Sequence, residues 1–404
     1  MKRLLINRMS GRNIHEEHRA ATPLELFYDL VFVVAVGACA SSLHHALVEH
    51  HYEGIVIYLA IFIPMWWAWM NYTWFSSAFD SDDTYFRLIS MVQMAGALIM
   101  AAGMKGFFNG DALLGLLGYI VMRVAMISLW LRVAKDDPEY ATTARRYAYG
   151  LLVMQVLWVI WYLVTQDMGL VARLTSMMFF MAGELLVPLL AERDKNTPWH
   201  SHHIAERYGL LTIIVLGEGI IGVSNAIMNA REVDILHALL IGFSGTVLVF
   251  ALWWLYFKVP FAQALHARSL KRAFMFGYGH YFIFAALAAV GTGLELVADN
   301  LTDNPGEHSG SPTMAIITLA VAVAVYMLTL SIIRASVVNE GKHNLAAILA
   351  ALLLPTLSSA IALTHLLPMW VSVLVIAVAP IVMIWLYSQE EKVLASRHTQ
   401  AHSA

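Results

Sequence analysis

One cysteine, Cys39, stands in 404 residues. That count excludes an intrachain disulfide and leaves no basis for a dithiol redox centre. Charge is also scarce. Asp, Glu, Lys and Arg make up 13% of the chain, against about a quarter in a soluble globular protein. The net charge of −3 supplies no basic surface, so no nucleic-acid partner is expected. The first twenty residues, MKRLLINRMSGRNIHEEHRA, are basic but lack the apolar core of about 7–15 residues that a cleavable signal peptide needs. The first apolar helix is therefore expected to stay in place as the insertion signal. The chain has no Walker P-loop, no GxSxG elbow and no GxGxxG behind a strand. Membrane hydrolases use sparse motifs, so this lowers the enzyme reading without removing it.

What the chain has instead is apolar length. Hydrophobic residues make up 59% and the mean hydropathy is +0.66. The apolar residues come in blocks of spanning length, roughly 20 residues each. They fall near 24–46, 55–77, 86–104, 112–134, 147–165, 170–191, 207–229, 235–257, 273–298, 313–336, 344–365 and 369–387. The expected fold is all-α: a polytopic integral membrane protein of about twelve transmembrane helices. With the N-terminus cytoplasmic and all twelve spanning, 21 of the 25 Lys and Arg residues fall inside. Lys105, Arg173 and Arg231 fall outside, and Arg123 lies within a helix. This is the positive-inside pattern. It is expected to place both termini in the cytoplasm.

The expected organisation is a cytoplasmic segment 1–22, a first membrane half 23–191, a linker 192–206, a second half 207–388 and a cytoplasmic tail 389–404. The outer loop 299–312, DNLTDNPGEHSGSP, carries Pro and Gly that break the chain between two helices. A faint repeat links the halves. ELFYDLVFVVAV from Glu25 pairs with ERYGLLTIIVLG from Glu206, WWAW from Trp66 with WWLY from Trp253, and Gln93 with His280. Six helices separate the partners, so both halves would share one orientation. Parallel six-helix pseudo-repeats are a transporter architecture.

Ionisable groups inside a bilayer cost about 2.5–3.5 kcal/mol each on the insertion scale and are functional candidates. Glu25 and Asp29 sit four apart, on one face of the first helix, near its positive dipole end. Arg123 is central in the fourth helix, Glu184 lies in the sixth, and Glu218 is central in the seventh. His280 and Glu295 lie in the ninth. Glu25, Asp29, Arg123, Glu184, Glu218 and His280 are expected to bind an ion or substrate, in one buried network with Arg123 as counter-charge. The bland alternative is that Arg123 only neutralises carboxylates and fixes packing. In LGEGIIG, Gly217 and Gly219 flank Glu218, which lets another backbone approach beside a buried acid.

WHSHHIAERYG (199–209) holds His200, His202, His203, Glu206 and Arg207. No strong zinc spacing is present, so no metal is expected. His203, Glu206 and Arg207 share a helix face and read as a juxtamembrane hydrogen-bond cluster. His44, His45, His50 and His51 read as interfacial groups that can answer pH. The tryptophans Trp66, Trp67, Trp69, Trp74, Trp253 and Trp254 read as anchors or packing groups.

TPLELFYDLVFVVAV and ERYGLLTIIVLGEGIIG together resemble the bacterial low temperature requirement protein A family. Its members show a W/T-x-LELFFDLVFV-like start and an H-x-x-ERFGLFTIIVLGE-like segment. Here these are Thr22 to Val33 and His203 to Glu218, with Tyr28 and Tyr208 where Phe is usual. The resemblance implies a multi-pass bacterial membrane protein and marks Glu25, Asp29, His203, Glu206, Arg207 and Glu218 as signature positions. The family name refers to growth in the cold and supplies no substrate.

The leading expectation is a transporter of a small solute or ion, open to proton coupling. Glu218 and Asp29 would bind the proton or cation, and His280 would relay or bind. Glu25 and Asp29 would form an acidic gate at the cytoplasmic side. One rival is an integral-membrane enzyme acting on a lipid, with His203, Glu206 and Arg207 at headgroup level. Another is a sensory or stress-adaptation protein. The expected partners are the lipid bilayer and an unidentified solute or ion, no cofactor is expected, and a homodimer is left open.

Overall fold

A computed structural model describes residues 6–17, 19–230, 235–265, 269–300, 311–338, 345–364 and 367–403. Every regular element among them is helical. The first seven are α1 (Pro23–Val48), α2 (Glu53–Phe79), α3 (Thr84–Ala102), the short α4 (Met104–Phe108), α5 (Leu113–Asp136), α6 (Ala141–Thr165) and α7 (Leu170–Ala191). They are followed by α8 (Ser201–Ala230), α9 (Ile235–Phe257), the short α10 (Phe261–Leu265), α11 (Leu270–Asp299), α12 (Pro312–Val337), α13 (Leu345–Ala362) and α14 (Met369–Ser403). The protein is a polytopic all-α membrane protein.

All twelve expected apolar runs are helices. Among the described residues eleven are long and apolar enough to span. The exception lies in α13, whose apolar part Ile348–Ala362 falls short of the roughly 20 residues that cross the hydrocarbon core. Most of the expected outer loop 299–312 lies outside the described residues. The run 86–104 ends earlier than expected. At Gly103 a Cβ would sit 2.3 Å from the Gly115 backbone nitrogen. The chain passes α5 at that point without a side chain, then turns into α4. The contact between α3 and α5 repeats this device: a Cβ at Gly118 would lie 2.4 Å from Met100 N and 2.5 Å from Gly96 O. Small residues let membrane helices approach backbone to backbone.

Two compact units divide the chain: Met1–Leu43 with Tyr52–Leu211, and His44–His51 with Thr212–Ala404. The first divides from the second within α8, which begins six residues before the expected 207, so His203 and Glu206 are already helical. Packing follows one order in both units. In the first, α3 lies on α5, α5 on α6, α6 on α7 and α2 on α7. In the second, α11 lies on α12, α12 on α13, α13 on α14 and α9 on α14.

In the first unit one end gathers the basic loops. Asn7 N donates to Asp83 Oδ2 (3.0 Å), Met9 N to Asp136 Oδ2 (3.1 Å) and Gly11 N to Asp137 Oδ2 (2.8 Å). Arg12 N donates to Ala78 O (2.9 Å), and Arg132 pairs with Asp83. The N-terminal segment thus covers the α2–α3 and α5–α6 turns, and it meets the α7–α8 turn where a His200 ring nitrogen bonds Glu16 O (2.9 Å). Lys105 and Arg173 belong to the opposite end, at α4 and at the start of α7.

Candidate functional site

The first turn of α1 is built by its sequence. Thr22 precedes Pro23, and Pro suits the first helical position because its missing N–H would have no helical partner there. Thr22 Oγ1 accepts from Glu25 N (3.3 Å), and Glu25 Oε2 accepts from Thr22 N (2.8 Å). This is a capping box. It fixes the Glu25 carboxylate at the helix start, and Asp29 follows one turn on along the same face. The outward face of α1 carries Phe27, Leu30 and Val34, all exposed, as lipid-facing residues should be.

Helix α8 presents a matching pair. His203 and Arg207 are also four apart, and each lies 178 positions from its partner on α1. A His203 ring nitrogen, Nε2, lies 3.2 Å from Glu25 Oε2. Arg207 Nε donates to Asp29 Oδ2 (3.0 Å) and Nη2 to Asp29 Oδ1 (2.5 Å). Arg207 Nη1 also lies 3.0 Å from Glu25 Oε1. Equal offsets on both rungs mean that the two helices run parallel and in register here. All four side chains are fully buried. A bidentate guanidinium–carboxylate pair combines charge with fixed geometry.

Around this ladder the first unit supplies an aromatic wall. Trp69 Nε1 donates to Asp29 Oδ1 (2.7 Å). Tyr28 stacks on Tyr72 with ring centres 3.8 Å apart, and the Tyr72 hydroxyl donates to Ser90 Oγ (3.0 Å). Tyr28 OH donates to Gln93 Oε1 (3.3 Å). Trp74 Nε1 donates to Tyr208 OH (3.0 Å). Trp69 and Trp74 are therefore hydrogen-bond donors as well as packing groups.

Toward the basic end the network continues through groups that sequence reasoning missed. Arg19 Nη2 lies 3.8 Å from Glu25 Oε1 and 3.8 Å from Asp80 Oδ2, and it donates to Ser76 O (2.9 Å). Asp80 caps the C-terminus of α2. Burial, with the negative Glu25 beside it, pushes the Asp80 carboxyl up to about 6, against the pull of Arg19 and Arg12. Burial pulls the His200 imidazole down from its ordinary range. Glu206 stands at the edge, accepting from Ala21 N (3.1 Å). Arg19 was legible only as a loop cation, since its reach into the helix bundle depends on how the N-terminal segment folds back.

A second cluster forms separately between α5, α6 and α7. Arg123 Nε lies 3.0 Å from Glu184 Oε1, Arg123 Nη2 donates to Tyr119 OH (2.9 Å), and Trp158 Nε1 donates to Glu184 Oε2 (2.8 Å). The expectation of one network with Arg123 as counter-charge is therefore revised within the first unit. Arg207 pairs with Asp29, and Arg123 pairs with Glu184. Depth along a helix is readable from sequence, but which neighbour each face meets is not.

In the second unit, His280 is buried among Phe261, Phe276 and Phe284. Its Nδ1 lies 2.7 Å from Phe276 O and its Nε2 2.9 Å from Tyr256 OH. A carbonyl only accepts, so Nδ1 carries a proton. In the singly protonated ring, Nε2 then accepts from the tyrosine. Glu218 is half-buried. Beside it α8 meets α11 closely: a Cβ at Gly291 would lie 3.4 Å from Gly219 N and 3.6 Å from Glu218 Cβ. A Cβ at Gly222 would lie 3.3 Å from Gly291 O. His44 Nε2 lies 2.7 Å from Asp299 Oδ2. Among the described residues no three His, Cys, Asp or Glu side chains converge as a metal site.

The family model for the bacterial low temperature requirement A protein matches residues 20–381. The protein RA0937 of Rhizobium meliloti (strain 1021), described as uncharacterized, is 27% identical over 292 residues, covering 69% of each chain. No solved structure matches. With the ladder of Glu25, Asp29, His203 and Arg207 inside the matched span, the chain belongs to the bacterial low temperature requirement A protein family.

Proposed function

We propose that this membrane protein is a proton-linked transporter of a small solute or ion, and that the α1–α8 ladder is its proton-responsive gate on the cytoplasmic side. The supporting observation is the charge balance of the buried cluster. Three carboxylates, Glu25, Asp29 and Asp80, face two guanidiniums, Arg19 and Arg207. One negative charge is left over, and one proton neutralises it. Asp80, with its carboxyl held up to about 6, is the group at the basic end that takes that proton as pH falls through about 6. Protonation there frees Arg19 from one of its two acids and redistributes charge toward Glu25. A buried ion-pair network with excess charge is costly, so a one-proton change can shift the balance between two packings of the helix ends.

The orientation in this reading follows the positive-inside pattern: both termini are cytoplasmic and the ladder sits at the cytoplasmic side of the bacterial cytoplasmic membrane. In this reading Glu218 and His280 are the binding and relay groups within the second unit, and the Arg123–Glu184 pair serves the first unit. The burial of His203 and Arg207 weighs against a lipid-hydrolysing site at headgroup level, because neither side chain has an open face.

The test is flux in proteoliposomes holding an internal pH dye, under an imposed potential and pH gradient. Proton-linked flux in the wild type that Asp29→Asn and Asp80→Asn each reduce by at least tenfold supports the reading. A folded wild-type protein that moves no protons under either gradient overturns it.

A further inference from the structure

The ladder occupies the start of α1. The far end of the same helix carries a histidine that the ladder leaves unused, and it belongs to the second unit. There His44 Nε2 meets Asp299 Oδ2, at the end of α11, at 2.7 Å. The two side chains are 11% and 20% exposed, so the pair is shielded from water without being cut off from it. Asp299 stands four residues after Glu295, on the same face of α11. The Glu295 carboxylate also acts on the His44 ring, and it acts in turn on Glu218 of α8. The two helices run close at this level. A Cβ at Gly222, one turn after Glu218, would lie 3.6 Å from Glu295 N. The His44–Asp299 pair thus stands at the end of a line of half-buried acids, Glu218, Glu295 and Asp299.

The chemistry of the pair depends on one proton. An ionised carboxylate only accepts hydrogen bonds. A protonated imidazole donates to it a charge-assisted bond, roughly twice as strong as a neutral one. A neutral ring keeps at most the weaker bond. Imidazole ordinarily titrates at about 6.5, the one side chain that changes charge between pH 5 and 8 without help. The neighbours that bear on it are few. His45 stands edge-on, with ring centres 5.6 Å apart. Helix α8 carries no charged residue between Glu218 and its end at Ala230, and α12, packed along α11, carries none before Arg334. Asp303, Glu307 and His308, next in the chain after α11, lie outside the described residues.

We propose that the His44–Asp299 pair is a pH-sensitive outer gate: protonated, it holds the ends of α1 and α11 together over Glu295 and Glu218, and loss of the proton loosens it. In the orientation of the transporter reading this end faces outside. Both ends of α1 then carry a titratable ion-pair contact, the ladder at the cytoplasmic end and this pair at the other. A change of one charge biases the balance between a closed and an open packing of the helix ends. The assignment to a transport path rests on the transporter reading. The response of the pair to pH does not.

The experiment reads closure through a buried thiol. Ala298, one residue before Asp299, is 1% exposed, and Ala298→Cys is the reporter. Cys39 is buried and adds little background. Full-length protein in nanodiscs is treated with an impermeant maleimide at about pH 5.5 and about pH 8, on either side of the imidazole range. Each rate is divided by that of the exposed Lys105→Cys at the same pH, because thiols themselves react faster as pH rises. The normalised rate is expected to be at least fivefold higher at the upper pH. Adding His44→Gln should give the fast rate at both values. Adding His44→Lys, which stays charged throughout, should give the slow rate at both. A normalised rate that changes less than twofold in the reporter alone overturns the proposal. So does slow labelling throughout in His44→Gln, or a pH response that survives in His44→Lys, since another group would then be titrating. The readout needs no flux. A protein that moves no protons but passes this test loses the transporter reading and keeps the pH-sensitive pair, and a failed test leaves the ladder and its flux assay standing.

Discussion

Arg207 of α8 holds Asp29 of α1 through two parallel hydrogen bonds, Nε to Oδ2 at 3.0 Å and Nη2 to Oδ1 at 2.5 Å. Both residues are fully buried, so neither charge has water to fall back on. Removing one partner should cost about 3–5 kcal/mol, because the other stays buried and uncompensated. Arg207→Gln is expected to be worse than Asp29→Asn, since it strands Glu25 as well. The Arg207→Gln/Asp29→Asn double variant should recover part of the loss. Thermal unfolding of the purified protein in detergent measures the cycle, and additive losses would mean that the pair does not act as a unit.

Trp69 donates the third hydrogen bond to Asp29. Trp69→Phe keeps most of the ring packing and removes the donor. A bond to a charged group is worth roughly 1.5–3 kcal/mol, and that loss is expected here. No change in the unfolding midpoint would show that Asp29 is satisfied by Arg207 alone.

Asp80 gives the protein a pH dependence of known sign. Its carboxyl titrates near 3.8 when unfolded and at about 6 when folded. The folded state therefore holds the proton more tightly. This contribution to stability is complete below about pH 4 and is lost as pH rises through 6. At about 1.4 kcal/mol per unit it amounts to roughly 3 kcal/mol. Asp80→Asn should remove it, so the variant should gain on the wild type between pH 4 and pH 7. Parallel unfolding curves across that range would rule out the titration.

The contact between α3 and α5 depends on glycine. Gly118→Ala puts a methyl group against Met100 N and Gly96 O, which are backbone atoms that cannot rotate aside. A loss of about 1–3 kcal/mol or more is expected. Gly169→Ala is the control, with nothing within 4 Å of the added carbon. Equal melting of the two variants would contradict the close packing.

Orientation can be tested with thiol chemistry, because Cys39 is buried and leaves a silent background. Cysteines placed at Lys105 and Arg173 should react with an impermeant maleimide added outside intact cells. Cysteines at Glu139 and Arg193 should react only after permeabilisation. The reverse pattern would invert the topology and place the ladder on the outer side.

Much of the site could be read before the fold. The TPLE run carries the capping box, and the four-residue spacings of Glu25 with Asp29 and of His203 with Arg207 put each pair on one face. What the spacing could not supply was the partner. Arg123 is a buried cation in the middle of its helix, yet it serves Glu184. Arg19 and Asp80 lie outside every apolar run and still enter the network.

The sequence by itself determined the membrane class, the helix runs and the two motifs. All are one-dimensional properties, set by hydrocarbon thickness and by the period of a helix. Tertiary structure alone decided which face meets which. A helix fixes the rise and angle of each side chain along its own axis. The rotation of one helix against another is set by packing summed over many small contacts, and that sum decides which guanidinium reaches which carboxylate.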